Sequence, residues 1–442
     1  MRFSDSIVAL SSGKLPAGVA VVRLSGPQVR FALETISGSV PLSHTAHLRK
    51  LKQSDGTVID TSLVVFFEGP ASFTGEDVAE FQVHGGRAVV AALLKRLTTI
   101  DGIRHAEPGE FTRRAFLNGK VDLIETEALA DLINAETEAQ RRFAVLSASG
   151  AQSKLYEDWR KRLIHARAMI EAEIDFADED DVPGSVSASV WADMHKLSSE
   201  IGEHVKGFHA GEILREGFDV VILGAPNAGK SSLFNALAKR DVAIVSDEAG
   251  TTRDLLEVAL DLGGLRVRLT DTAGLREQAG KVETIGIGRA RERANEADLL
   301  IVLEDMTGPI TSLEVPASVP VLRVGTKADL IEAAPKDGER RYDLAVSTVS
   351  GLGLAGLLDE LGRLANEAAG TTGELLPSRL RHVELLEASR SFIDHAAGQS
   401  DAFQELRAED LRLAGDRLGR IVGTAGVEDL LDVIFSQFCI GK

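Results

Sequence analysis

Cysteine is nearly absent from this 442-residue chain, Cys439 being the only one. An internal disulfide and a multi-cysteine metal site are thereby excluded, and stability has to come from packing. Uninterrupted apolar runs of about 18 residues are missing as well, and the opening Met1-Arg2-Phe3-Ser4-Asp5-Ser6 lacks the basic and then apolar layout of a signal peptide. The expectation is a soluble, cytoplasmic protein with no membrane partner. Basic charge is in deficit, with 49 Lys and Arg against 67 Asp and Glu and a net charge of -18, which argues against broad, nonspecific nucleic-acid binding. Neither an internal repeat nor a low-complexity linker is visible.

What is present is 44% hydrophobic residues, ample for buried cores, and a length suited to two or three domains. The acid is unevenly spread. Residues 171–181 hold seven carboxylates and no base, whereas residues 1–120 hold 14 Lys and Arg against 11 Asp and Glu. A local basic surface for RNA or an anionic ligand fits that balance, and so does an ordinary solvated surface.

Residues 1–120 alternate β-rich runs at 19–24, 62–67 and 78–83 with Gly-rich breaks and one helical stretch at 88–97, the pattern of a small α+β domain. From residue 121 to 215 the pattern is helical. Leu129, Leu132 and Ile133 fit one face, and Leu155, Trp159, Leu163, Ile170 and Ile174 another. At 218–223 a short apolar run ends in glycine, as a buried parallel strand does. Strand and helix signals alternate from there, giving an α/β segment at 216–372. Helical signal resumes at 373–442 with Leu380, Val383 and Leu386. The fold class expected is therefore multidomain: an N-terminal α+β domain, a helical bundle domain in two parts, and an α/β P-loop G domain inserted between them.

Gly224-Ala225-Pro226-Asn227-Ala228-Gly229-Lys230-Ser231 matches the P-loop pattern in full, after a predicted strand and before a helix at 232–238 that opens with Ser232. Glycines let backbone N–H groups converge on phosphates, Lys230 reaches the β- and γ-phosphates, and the Ser231 hydroxyl ligates Mg²⁺. Asp271-Thr272-Ala273-Gly274 follows a predicted strand at 266–270, with Asp271 suited to hold Mg²⁺ through water and the Gly274 amide suited to sense the γ-phosphate. Gly250-Thr251-Thr252-Arg253-Asp254 supplies a loop whose threonine hydroxyl completes the Mg²⁺ shell only around a triphosphate. Thr326-Lys327-Ala328-Asp329 follows a strand at 321–324, and its carboxylate accepts from the guanine N1 and N2 donors, a pair that adenine lacks. Ser347-Thr348 stands where a last loop closes on the base.

Thr326 occupies the place of the usual asparagine. A hydroxyl replaces only part of the amide's bonding, and one lost buried hydrogen bond is worth about 1 to 3 kcal/mol. Reduced affinity with guanine selectivity retained through Asp329 is the expectation. Leu275 stands where Ras-like enzymes carry a water-orienting glutamine, and an apolar side chain cannot orient water. Arg276, Glu277 and Glu283 are nearby candidates, each equally readable as a solvated loop charge. Asn227 either shapes the turn or offers its carbonyl oxygen to a monovalent cation.

The chain as a whole resembles the MnmE (TrmE) family of bacterial tRNA-modification GTPases. The most specific stretches are 5–9, 21–27, 72–77, 83–86, 108–120 and the tail Phe438-Cys439-Ile440-Gly441-Lys442. The resemblance implies a homodimer that works with the FAD-dependent MnmG, as a heterotetramer, on the wobble uridine (position 34) of certain tRNAs. It would install an aminomethyl or carboxymethylaminomethyl group at C5, the carbon coming from 5-formyl-tetrahydrofolate or a related one-carbon folate. It places folate at Arg23, Glu80, Lys120 and Lys442 in a dimerising N-terminal domain. It assigns K⁺ to Asn227, Ser246, Glu248 and Thr251, Mg²⁺ to Ser231 and Thr252, and water polarisation to Glu283. The same resemblance extends the GTP site over Ala228, Gly229, Ser232, Asp247 and Ala249, and makes K⁺-dependent pairing of G domains the switch. Cys439 reads either as a nucleophile or as a small apolar residue beside Phe438 and Ile440. Two other functions compete: a ribosome-assembly or translation GTPase, which the G domain alone favours, and a noncatalytic dimeric scaffold that senses GTP and folate. The N-terminal stretches separate the first, and multiple turnovers the second.

Overall fold

The computed structural model of the protein describes residues 3–175, 186–240, 242–244, 256–271, 292–309, 315–331, 342–370, 373–400, 403–424, 426, 428–436, 438 and 440–441. The chain divides into two compact units. One comprises Met1–Ala130, Ser153–Ile164 and Gly415–Lys442, the other Asp131–Gln152 and His165–Ala414.

The first unit is built on strands β1 (Ser6–Leu10), β2 (Ala17–Ser25), β3 (Ala46–Lys52), β4 (Val58–Phe67), β5 (Val78–Gly85) and β6 (Ile103–His105), in the order β3-β4-β5-β2-β1-β6. On β2 the residues Ala20, Val22 and Leu24 are buried while Val21 and Arg23 between them are half-buried, so the period of two divides the sheet's faces. The buried face meets α1 (Val29–Ser37) and α2 (Arg87–Thr98) through Leu33, Ile36, Leu93 and Leu97. Each such side chain contributes about 1.5 to 3 kcal/mol on burial.

A single helix was expected in residues 1–120, yet α1 and α3 (Glu110–Leu117) flank the expected α2. On α1 the buried positions 29, 32, 33 and 36 keep helical spacing over only nine residues. On α3 the buried set includes Glu110, Thr112 and Arg114, whose polarity hides the period.

Helix α4 (Leu123–Asn134) buries Leu123, Ile124, Thr126, Glu127 and Ala128. The expected face fails there: Leu129 and Leu132 are half-buried and Ile133 is 39% exposed. Aliphatic residues surround this helix, so spacing alone does not select a side. The later helices are α5 (Glu138–Ser147), α6 (Ala151–Asp175), α7 (Val186–Lys206) and α8 (Phe208–Glu216). Along α6 the expected Trp159, Leu163 and Ile170 are buried, together with Tyr156 and Ala166.

The second unit holds a seven-stranded sheet of β7 (Phe218–Gly224), β8 (Ala243–Ile244), β9 (Leu256–Leu262), β10 (Leu265–Asp271), β11 (Leu299–Asp305), β12 (Val321–Thr326) and β13 (Leu344–Ala345). Its order is β13-β12-β11-β7-β10-β9-β8. Strands β7 and β10 to β13 run parallel, and β9 pairs antiparallel with both β8 and β10. Burial runs unbroken from Phe218 to Ile222, as a central parallel strand requires. One face packs on α9 (Lys230–Ala238), α10 (Leu354–Ala369), α5 and α8. The other meets Ala294, Ala297 and Val319.

Still in the second unit, α11 (Leu380–Gly398) packs on α7, and the Arg407 guanidinium of α12 (Gln404–Val422) lies 3.7 Å from the centre of the Trp191 ring. The apolar seam of α11 starts at His382 and runs through Leu386 and Ile393; Leu380, expected in it, opens the helix and is 62% exposed. Among the described residues no helix is long and apolar enough to cross a membrane.

Candidate functional site

Parallel strands bring their carboxyl ends to one edge of a sheet, where ligand crevices form. Gly224, Asp271, Asp305, Thr326 and Ala345 end β7, β10, β11, β12 and β13 and therefore share that edge. The P-loop leaves β7 and enters α9 there. Asn227 (φ 64°) and Gly229 (φ 92°) are both left-handed, which curls the loop upon itself. Lys230 folds back over this curl, its Nζ donating to the carbonyls of Gly224 at 2.8 Å and Ala225 at 2.9 Å. Ala228 is buried beneath, while Asn227, Ser231 and Ser232 are exposed. The exposed Ser231 hydroxyl on the first turn of α9 suits a hard cation such as Mg²⁺. Asp271 is fully buried.

The two loops expected around a base also meet. The Ala328 amide donates to the Val346 carbonyl at 3.1 Å, next to Ser347 and Thr348. Ser347 is buried, and its hydroxyl accepts from the amides of Val349 and Ser350 at 3.2 and 3.1 Å. Asp329 is exposed. Lys327 (φ 60°) reaches back to Asp305 at 2.5 Å. That hydrogen bond, helped by Thr307, brings the Asp305 carboxyl down to about 2. Thr326 is 4% exposed, and its hydroxyl donates to the carbonyl of Ala228 at 2.8 Å. A second acceptor, the Glu304 carbonyl, stands at 3.2 Å. A threonine hydroxyl has one proton to donate, and the shorter contact gives it to the P-loop carbonyl.

Ser246, Asp247, Glu248, Ala249, Gly250, Thr251, Thr252, Thr272, Ala273, Gly274, Leu275, Arg276, Glu277 and Glu283 lie outside the described residues, as do Cys439 and Lys442.

In the first unit Arg23 of β2 and Glu80 of β5 are register partners, joined at 3.0 Å and 22% and 20% exposed. The Arg23 guanidinium stands 5.9 Å from the Phe73 ring centre and 5.7 Å from that of Phe111. Lys120 donates from Nζ to the Pro70 carbonyl at 3.0 Å, on the same loop as Phe73. The tail comes to this unit too. Ile440 bridges Pro108, and the Ser11 hydroxyl donates to the Gly441 carbonyl at 2.8 Å. Ser11 follows β1, whose Ala9 is the register partner of Arg23. At Gly441 φ is 99°, and a Cβ would stand 2.1 Å from the Leu10 carbonyl oxygen, so only glycine fits.

Sequence reasoning missed a buried ionic network that ties this loop in place. Arg114 is fully buried, and donates to the Asp5 carbonyl at 2.9 Å, the Asp5 carboxylate at 3.0 Å, Glu110 at 3.1 Å and Glu76 at 3.2 Å. Arg104 bonds Glu110 at 2.6 Å and Asp5 at 2.7 Å. Ser25 donates to Glu76 at 2.8 Å. Burial pushes the Asp5 and Glu110 carboxyls up, but hydrogen bonds and charge from Arg104 and Arg114 outweigh it and hold both below their ordinary values. Asp5, Glu76, Glu110 and Arg114 do fall within the stretches 5–9, 72–77 and 108–120, but nothing in their spacing pairs them or shows that Arg114 is buried.

The family models place these features. The one for the MnmE helical domain matches residues 123–439, and the one for the GTP-binding protein TrmE N-terminus matches residues 6–120. The chain is 69% identical over 443 residues to the tRNA modification GTPase MnmE of Mesorhizobium japonicum, with 100% of both chains covered. It is 55% identical to the protein of that name from a Chelativorans species and 56% identical to that of Brucella anthropi, each comparison covering 99% of this chain and 98% of the relative. With both family models matched and full-length relatives this similar, the chain belongs to the MnmE family of tRNA modification GTPases.

Proposed function

We propose that the protein is a cytoplasmic GTP hydrolase of tRNA modification. As a homodimer, with the FAD-dependent MnmG, it helps add an aminomethyl or carboxymethylaminomethyl group to C5 of the wobble uridine, using a one-carbon folate. The observation that carries the nucleotide reading is the hydrogen bond from Thr326 to Ala228, which joins the base-reading loop to the phosphate loop at the carboxyl edge of a parallel sheet. In this reading residues 1–120 bind folate and dimerise, 216–372 form the G domain, and the helical parts 121–215 and 373–442 connect them.

The roles follow from chemistry. Amides of Asn227 to Ser232 and the Lys230 ammonium face the phosphates, and Asp329 accepts from guanine N1 and N2. Ser231 and Thr252 would hold Mg²⁺, and Asn227, Ser246, Glu248 and Thr251 would hold K⁺; when bound, these cations neutralise charge that develops between the β- and γ-phosphates. Glu283 polarises the attacking water, the task Leu275 cannot perform. For folate, Arg23, Lys120 and Lys442 supply cations for the glutamate tail and Glu80 accepts from the pterin ring. The Arg23–Glu80 pair, one-fifth exposed beside Phe73, supports that placement.

The reading is tested by digesting bulk tRNA from cells lacking this chain and quantifying modified uridines by mass spectrometry. Loss of C5-aminomethyl wobble uridines, restored by the wild type and not by Glu283→Ala, is expected. An unchanged nucleoside profile would remove tRNA modification and leave ribosome assembly as the next place to look.

A further inference from the structure

We infer that Glu136 and Arg266 are positioning residues for turnover at the nucleotide site, acting through the β9–β10 hairpin; the inference rests on the nucleotide reading above. Strand β9 starts at Leu256, just after the loop Gly250-Thr251-Thr252-Arg253-Asp254, and β10 ends at Asp271, just before Thr272-Ala273-Gly274. One hairpin therefore carries both loops assigned to Mg²⁺ and the γ-phosphate. Its strands pair without interruption from Leu262↔Leu265 to Leu256↔Asp271, which sets its turn roughly 20 Å from Asp271. That turn is Gly263-Gly264, with φ 67° and 89°, the double left-handed geometry of a tight hairpin.

Residues from outside the sheet clasp this far end. The first N–H groups of a helix have no partner within it, and on α5 the Ala139 amide donates to the Gly264 carbonyl at 3.0 Å. Next to it Arg266 Nε stands 3.2 Å from Glu136 Oε2, the two side chains being 29% and 31% exposed. Ala139 and Phe143 are buried in one core with Leu262, Leu265 and Val267. Arg266 also borders a polar cavity of about 260 Å³ lined by Gln140, Phe143, Arg215 and Arg268. Such a space accommodates several waters, so the ion pair can part and re-form without leaving a dry void.

Strand β10 is held along Val267–Asp271 by β7, whereas β9 pairs with β10 and the two-residue β8. Fixing the turn therefore narrows the range of positions that β9 and the loop before it visit, and rate depends on how often reacting groups hold their geometry. Freeing the clasp lowers kcat. Nucleotide affinity is spared, because the P-loop and Asp329 hang from β7 and β12 instead.

The test uses the full chain in K⁺ and Mg²⁺. Glu136→Gln and Arg266→Gln each lower kcat for GTP by about two- to fivefold, the range open to a partly exposed ion pair, with affinity for fluorescent GDP within about twofold of wild type. Glu136→Lys and Arg266→Glu each lower kcat, and the double reversal restores it to within about twofold, a rescue that general loosening of the fold does not give. Single variants that turn over like wild type, or a double reversal no better than the singles, overturn the inference alone. Absence of turnover in the wild type overturns the nucleotide reading and this inference with it.

Discussion

Thr326 donates its hydroxyl to the carbonyl of Ala228 at 2.8 Å, so one hydrogen bond ties the loop at 326–329, proposed to read the base, to the P-loop. Thr326→Val keeps the shape and leaves that buried carbonyl without this donor, a loss worth about 1 to 3 kcal/mol. Fluorescent GDP should bind roughly 5- to 100-fold more weakly. Thr326→Asn, able to serve both Ala228 and the Glu304 carbonyl, should bind at least as tightly as wild type. Equal affinity in Thr326→Val would dissolve the tether.

Glu283→Ala should keep GDP and GTP affinity and lose about 10²- to 10⁴-fold in kcat, the usual contribution of a positioned acid or base. A phosphate-release assay beside a binding titration separates the two effects, and undiminished turnover would remove Glu283 from the mechanism.

Hydrolysis should fall at least about tenfold when K⁺ is replaced by Na⁺ at equal ionic strength. Asn227→Ala should be slow in both salts. Equal rates for the wild type in the two salts would exclude a cation at Asn227.

Removing Arg114 leaves Asp5, Glu76 and Glu110 around a missing cation. Arg114→Met should cost about 3 to 5 kcal/mol of stability at pH 7 in denaturant melts. The sign of its pH dependence follows from the lowered carboxyls: the stability that Asp5 and Glu110 contribute is present above their ordinary values of 3.8 and 4.5 and is lost as pH falls below them. The gap between wild type and variant should therefore narrow from pH 6 toward pH 3. A constant gap would mean that the carboxylates are not what Arg114 stabilises.

Gly441→Ala forces a Cβ against the Leu10 carbonyl and should displace the tail from Ser11. If Lys442 belongs to the folate site, calorimetric affinity for 5-formyl-tetrahydrofolate drops together with that of Arg23→Met, each by about tenfold or more, as expected for losing a charged hydrogen bond. GTP turnover is the control and should stay unchanged in Gly441→Ala without folate.

Legibility in the sequence followed how local the signal was. The runs 218–223, 266–270 and 321–324 reappear as β7, β10 and β12 with one or two more residues at their ends: the first is apolar apart from Asp219, as a central parallel strand is, and the second alternates Arg266 and Arg268 with the buried Val267 and Leu269. The P-loop was equally clear, its spacing being set by one turn between one strand and one helix. Strand β3 was not foreseen, since His47, Arg49, Lys50 and Lys52 mask the apolar Leu48 and Leu51. The Arg114 network was also out of reach: its members are far apart in the chain, and nothing local shows that Arg114 is buried. Arg23 and Glu80 came from family resemblance, and only the β2–β5 register explains why they are neighbours.

The edges of the two sheets bear on how copies of this chain can associate. An open edge invites another strand unless it is short, charged or covered. In the first unit one edge is β3, which carries Arg49, Lys50 and Lys52, and the other is the three-residue β6. In the second unit both edge strands, β8 and β13, have two residues each. Among the described residues neither sheet edge combines length with an uncharged face, so crowding in a concentrated solution should not seed cross-β fibres from these strands.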